Sequence, residues 1–142
     1  MLEKLAVCAA LLFLVEGGEG QPEPTPQKEK IKLVTVESNI IYYTNQQREQ
    51  HGLPPLEVDS ELVHSARRHA TWMTVNRSLR HTSDPVAENI AMGQRDSDEV
   101  VRDWMRSPGH RANILNRRYR RIGAAAYCTP EGTIFWCQQF LY

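Results

Sequence analysis

The sequence predicts an α+β fold, a small antiparallel sheet covered by helices, and three observations carry it. Segments with helical period and helix caps fill most of the chain, two β-branched and aromatic runs around a glycine turn fill its end, and no repeat-scale period intervenes. At 142 residues the chain has the length of one domain. With 41% hydrophobic and 24% charged residues, and 17 basic against 17 acidic side chains, it is neither a low-hydrophobicity disordered chain nor a basic nucleic-acid binder.

Residues 1–20 read as a secretory leader. Leu5 to Val15 is an apolar run too short for a bilayer span, which needs ~20 residues. Lys4 precedes the run, and Gly18 and Gly20 mark a cleavage point before Gln21. The expectation is an exported chain, extracellular or periplasmic, with no transmembrane span. Residues 21–32 follow as a tether, since Gln21 to Lys30 alternates three prolines with polar residues and favours extended chain. Loss of the leader leaves a charge of about +2, too little for a polyanion field.

Three helices and a short fourth come next. Glu37 to Gln50 holds good helix formers and stops at His51-Gly52 with Pro54 beyond. A second helix starts at Asp59 or Ser60, either able to cap, runs to about Thr74, and stripes Leu62, Ala66, Ala70 and Met73 along one face. The third begins at Ser97 with Asp98 and Glu99 in its positive first turn, and Val100, Val101 and Trp104 form its apolar stripe. It must end near Arg106, because Ser107-Pro108 supplies a new cap and a proline at the first helical position. His110 then falls in the first turn of a short helix ending near Leu115. Between the second and third helices, Arg80 to Gly93 reads as loop with a short strand at Glu88 to Met92.

The end of the chain reads as a β-hairpin, Ile122 to Cys128 and Thr133 to Tyr142 around Thr129-Pro130-Glu131-Gly132. A loop of two or four residues puts Cys128 opposite Cys137, and an even cysteine pair in an exported chain is read first as a disulfide. A Cys128–Cys137 bridge is therefore expected.

Familiar catalytic strings are absent: no H-E-x-x-H, G-x-S-x-G, G-x-x-x-x-G-K-[ST] or G-x-G-x-x-G. What remains is a polar set, His81, Glu88, Glu99, Ser107 and His110, whose imidazoles and carboxylates suit Zn ligation or acid–base work once loops bring them together. Each also has a structural use, Ser107 as a helix cap and Glu88 as an acceptor for backbone N–H groups. His64 and His69, five apart on one helix, do not face the same way. The run Arg117-Arg118-Tyr119-Arg120-Arg121 reads as a solvated loop before it reads as a site for an acidic glycan or lipid headgroup.

The strings Leu79-Arg80-His81, Ala87-Glu88-Asn89-Ile90-Ala91 and Trp104 to Leu115 (W-M-R-S-P-G-H-R-A-N-I-L) resemble the CAP superfamily of cysteine-rich secretory, antigen 5 and pathogenesis-related proteins, in its short bacterial-type form. The likeness runs collinearly over about residues 38 to 142. It implies a three-layer α-β-α sandwich over a domain at 33–142, and a cleft lined by two His and two Glu. By position these are His81, Glu88 and His110, while Ser107 stands where the eukaryotic pattern has its second Glu, three residues after the helix-three Trp. The resemblance thus implies that His81, Glu88 and His110 hold Zn or another divalent cation weakly, with Ser107 as a further cleft residue.

Two functions compete. One is a secreted, non-enzymatic binding module, a monomer that meets an extracellular, cell-wall or lipid ligand through this cleft. The other is a hydrolase using a metal-bound water there, which lacks the extra carboxylate that would most naturally serve as base.

Overall fold

The computed structural model describes residues 31–142. The leader at 1–20 and nearly all of the tether at 21–32 lie outside these residues. Eight elements follow in order: α1 (Thr35–Gln50), β1 (Glu57–Val58), α2 (Ser60–Asn76), β2 (Ala87–Met92), α3 (Ser97–Arg106), α4 (Pro108–Ile114), β3 (Arg121–Cys128) and β4 (Ile134–Leu141). The strands form one sheet in the order β1-β3-β4-β2. β2 and β3 flank β4 antiparallel, and β1 adds a two-residue parallel pairing, Glu57 to Arg121 and Val58 to Ile122. That parallel rung is too short for period-two alternation to reveal.

The pleat divides the sheet between two cores. Ile122, Ala124, Trp136 and Phe140 point to one side, where they meet Ile40 and Ile41 of α1, Val100, Val101 and Trp104 of α3 and Ile114 of α4. Ala125, Phe135, Cys137 and Ile90 point to the other, against Ala66, Ala70 and Met73 of α2. This alternation is what makes a helix–sheet–helix sandwich of the chain. Trp104 is 1% exposed and donates its indole N–H to the Ile90 carbonyl at 3.2 Å, so its polar atom is satisfied inside the core.

The helix starts are fixed by named groups. Asp59 caps α2, its side chain accepting from Glu61 and Leu62 N–H, and it also takes Arg121 at 2.9 Å. Glu37, buried in the first turn of α1, accepts from the Val34 N–H and holds Arg67 of α2 through both oxygens at 2.6 and 2.7 Å, tying the two helical layers at their edge. Gly123 answers a close approach: a Cβ there would sit 2.2 Å from the Leu62 carbonyl carbon, where the first turn of α2 crosses β3.

The expected disulfide does not form. Cys128 pairs with Ile134 and Cys137 with Ala125, so the two cysteines lie on opposite faces of the hairpin; both are free, Cys128 exposed and Cys137 buried. The cause is the turn. Thr129 N–H bonds the Thr133 carbonyl at 2.8 Å and Thr129 Oγ1 accepts from the Thr133 N–H at 3.2 Å, closing the loop around Glu131 with Gly132 at φ 93°. Relative to the expected pairing the register is displaced by three residues, an odd number, which reverses the face of one cysteine against the other.

Candidate functional site

The polar residues gather at β2, the strand at the free edge of the sheet. Glu88 and its register partner Gln139 point to the α2 side, while Asn89 and its partner Gln138 point to the side of α1, α3 and α4. Each pair is bonded across the strands, Gln139 Nε2 to Glu88 Oε2 at 2.9 Å and Asn89 Nδ2 to Gln138 Oε1 at 3.1 Å.

Glu88 is buried and its carboxylate is fully engaged. Oε1 accepts from His81 Nδ1 at 2.9 Å and from the Thr82 N–H at 3.0 Å; Oε2 accepts from Gln139 and, at 3.5 Å, from the Cys137 thiol. Because an ionised carboxylate only accepts, the hydrogen of a neutral His81 must sit on Nδ1, which leaves Nε2 as a lone pair on an imidazole that is 61% exposed. Burial, then the Glu88 charge and the bond to it, hold the Cys137 thiol well above its ordinary pKa, so it stays protonated as a donor. The loop that presents His81 is braced by Asp84, whose backbone N–H donates to Thr82 Oγ1 at 3.2 Å and whose carboxylate accepts from Ser65 Oγ at 3.2 Å.

His110 arrives from the other layer. It lies in the first turn of α4, which is pinned to β2 by two asparagines: Asn89 Nδ2 donates to the His110 carbonyl at 3.1 Å, and Asn113 Nδ2 donates to the Glu88 carbonyl at 3.2 Å and to Asn89 Oδ1 at 2.9 Å. Burial, and second the neighbouring His81, push the His110 pKa below its ordinary 6.5. His81 is thus held on Glu88, and the α4 backbone that carries His110 is pinned to the same strand. Ser107 stands at the backbone N-cap of α4, accepting the Arg111 N–H at 2.8 Å, but its hydroxyl makes no cap bond, contrary to the expectation from Ser107-Pro108. The same residue also closes α3 through its N–H to the Trp104 carbonyl at 3.1 Å, so both helices constrain its backbone.

Against a divalent cation the donors fit poorly in this arrangement. Both Glu88 oxygens already have protein donors, and among the described residues no group of three or more His, Cys, Asp or Glu side chains is set to hold a metal ion.

A cavity of about 330 Å³ opens beside His81, lined by His69, Trp72, Arg80, His81, Thr82 and Ser83. A larger one of about 440 Å³, lined in part by Val36, Asn39, Ala126, Cys128 and Trp136, opens on the opposite face toward the hairpin turn, away from these histidines. Size does not decide between them; the convergence of polar groups favours the first.

The model of the cysteine-rich secretory protein family, CAP, matches residues 41–140. The chain belongs to the CAP family. Among relatives of this CAP chain, the Bacillus subtilis protein YkwD is 35% identical over 122 residues, 74% of this chain and 46% of that protein. Pathogenesis-related protein 1 of Arabidopsis thaliana is 29% identical over 110 residues, 66% of this chain and 68% of that one. An extracellular protein of Bacillus anthracis containing an SCP domain superposes with a TM-score of 0.67 at 27% identity, over 75% of this chain and 40% of the other. The CAP chain therefore spans less than half the length of both Bacillus proteins.

His69 of the CAP chain, which no motif in the sequence marks, stands 3.7 Å from Glu88 Oε1 while bonding the Arg80 carbonyl at 2.7 Å. Its spacing from His64 spoke only against those two acting together. Gln138 and Gln139, two polar residues in succession within an apolar strand, were the signal that the strand carries a site as well as a core.

Proposed function

We propose that this CAP chain is a secreted, non-enzymatic binding module whose cleft at His81, Glu88 and His110 takes a polar group of an extracellular or envelope partner. The observation that carries the reading is the engagement of Glu88. With four donors on its two oxygens it is occupied as an anchor for His81, and a carboxylate so held is poorly placed to take a proton from water. What faces outward is His81 Nε2, beside His110. Divalent cations bind weakly under this reading, because an ion would take Glu88 only in exchange for its present donors. Among the described residues no helix is long and apolar enough to cross a membrane. Export rests on the apolar leader.

The test is sedimentation of the exported protein with insoluble cell-wall polysaccharide and, separately, with anionic phospholipid vesicles. Wall binding lowered by His81→Ala and by His110→Ala, with no soluble fragments released over time, supports the reading. Release of fragments that stops in the same variants supports hydrolysis instead, and binding equal in parent and variants removes the cleft from the account.

A further inference from the structure

The cavity beside His81 holds an aromatic surface that the fold does not use. Trp72 is 40% exposed on α2, unlike Trp104 and Trp136, each 1% exposed. Its indole is held parallel to the His69 ring, 6.0 Å between centroids and 5° between planes, and His69 is in turn fixed by the Arg80 carbonyl. An exposed tryptophan with its orientation fixed is a platform rather than a loose surface residue.

The groups around it are of one kind. Arg80 is exposed, and its guanidinium has no ion pair or hydrogen bond among the described residues. His81 turns Nε2 outward, since Nδ1 is on Glu88. Thr82 and Ser83 bring hydroxyls to the same wall, and no carboxylate lines the cavity. At about 330 Å³ the space falls at the lower end of the ~300–1,000 Å³ typical of small-ligand sites. A flat apolar platform edged by hydroxyls and imidazole suits a ring with one C–H face and a rim of hydroxyls. An unpaired guanidinium adds a preference for a carboxylate, which it takes bidentately.

We propose that this cavity is a saccharide subsite that stacks a pyranose on Trp72 and pairs an acidic substituent of the sugar with Arg80. It deepens the proposed function and rests on it in one respect: His81 and His69 are shared, so the subsite extends the Glu88 cleft along the sugar chain. A nucleobase could also stack on Trp72, but the near-neutral chain offers no phosphate-following basic track at this wall.

Tryptophan fluorescence reads the site, because the other two indoles are buried. The full exported protein is titrated with tetragalacturonate, with the N-acetylglucosaminyl-N-acetylmuramic acid disaccharide and with neutral cellotetraose; the first two distinguish a uronate polymer from a wall glycan as the source of the acidic sugar. Saturable quenching by at least one acidic sugar, tighter than by cellotetraose, is expected. Arg80→Ala should remove that preference. In Trp72→Ala, followed by calorimetry with the same sugar, affinity should fall about tenfold, with Trp72→Phe retaining most of it. Loss in Trp72→Ala with His110→Ala unaffected leaves the subsite standing and counts against the Glu88 cleft. Unchanged affinity in Trp72→Ala, no binding of either acidic sugar, or preferential binding of the dinucleotide ApA overturns the proposal, while His110-dependent sedimentation with wall polysaccharide would still uphold the cleft.

Discussion

His81 gives its Nδ1 hydrogen to Glu88 Oε1, seven positions ahead, at 2.9 Å, and the loop between them also sends the Thr82 N–H to the same oxygen. One buried carboxylate therefore orients the His81 imidazole and fixes the loop that carries it. The interior strand contributes as well, because Gln139 and Cys137 of β4 secure the other oxygen.

The hairpin register predicts two thiols of unequal reactivity. Native protein treated with iodoacetamide without reductant should be labelled at exposed Cys128 and not at buried Cys137, whose thiol is also held protonated; after unfolding both should label. Peptide mapping checks this, and a 128–137 crosslinked peptide would contradict the register.

Trp104→Ala should lower stability by ~3 to 5 kcal/mol, since it empties the contact between α3 and the sheet and leaves the Ile90 carbonyl without its donor. A denaturant titration measures it, and a loss below ~1 kcal/mol would place the indole outside the core.

Gly123→Ala tests the crossing of α2 over β3. The added methyl meets backbone atoms of Leu62 and Val63 at 2.2 to 2.5 Å, which no side-chain rotation relieves. The cost should reach about 3 kcal/mol, the upper part of the range for overpacking. A neutral result in the same titration would mean that helix and strand are farther apart than described.

Zinc should bind no tighter than about 1 mM, roughly 4.1 kcal/mol of binding free energy, because the ion must compete with the donors on Glu88. Calorimetry of the parent, His81→Ala and His110→Ala decides it. Micromolar binding lost in both variants would show that the cleft rearranges into a metal site.

Much of this was readable in the chain and some was not. The stripe of Val100, Val101 and Trp104 has helical period, so α3 was expected at Ser97 to Arg106, where it lies. His81, Glu88 and His110 were singled out through strings shared with a family, since their spacing alone says nothing of how the fold places them. The cysteine pairing failed because a single threonine closes the turn through its hydroxyl and backbone together, and register is decided by such local bonds. His69 escaped because its partner is on another element, 19 residues ahead, and no helical period connects the two.

The titration of His110 tests the proposed cleft most directly. Its pKa is held low by burial and then by His81, so the unfolded chain binds the proton more readily than the folded one. Stability from this residue is therefore complete above about 6.5 and is lost as pH falls from there through the lower folded value. The measurement is the pH midpoint of the His110 Cε1–H resonance in the parent and in His81→Ala. A midpoint below 6.5 that rises part-way toward it when His81 is removed is the expected result, the remainder reflecting burial. A midpoint at or above 6.5 in the parent, or one unmoved by His81→Ala, would contradict the convergence of the two imidazoles in one cleft.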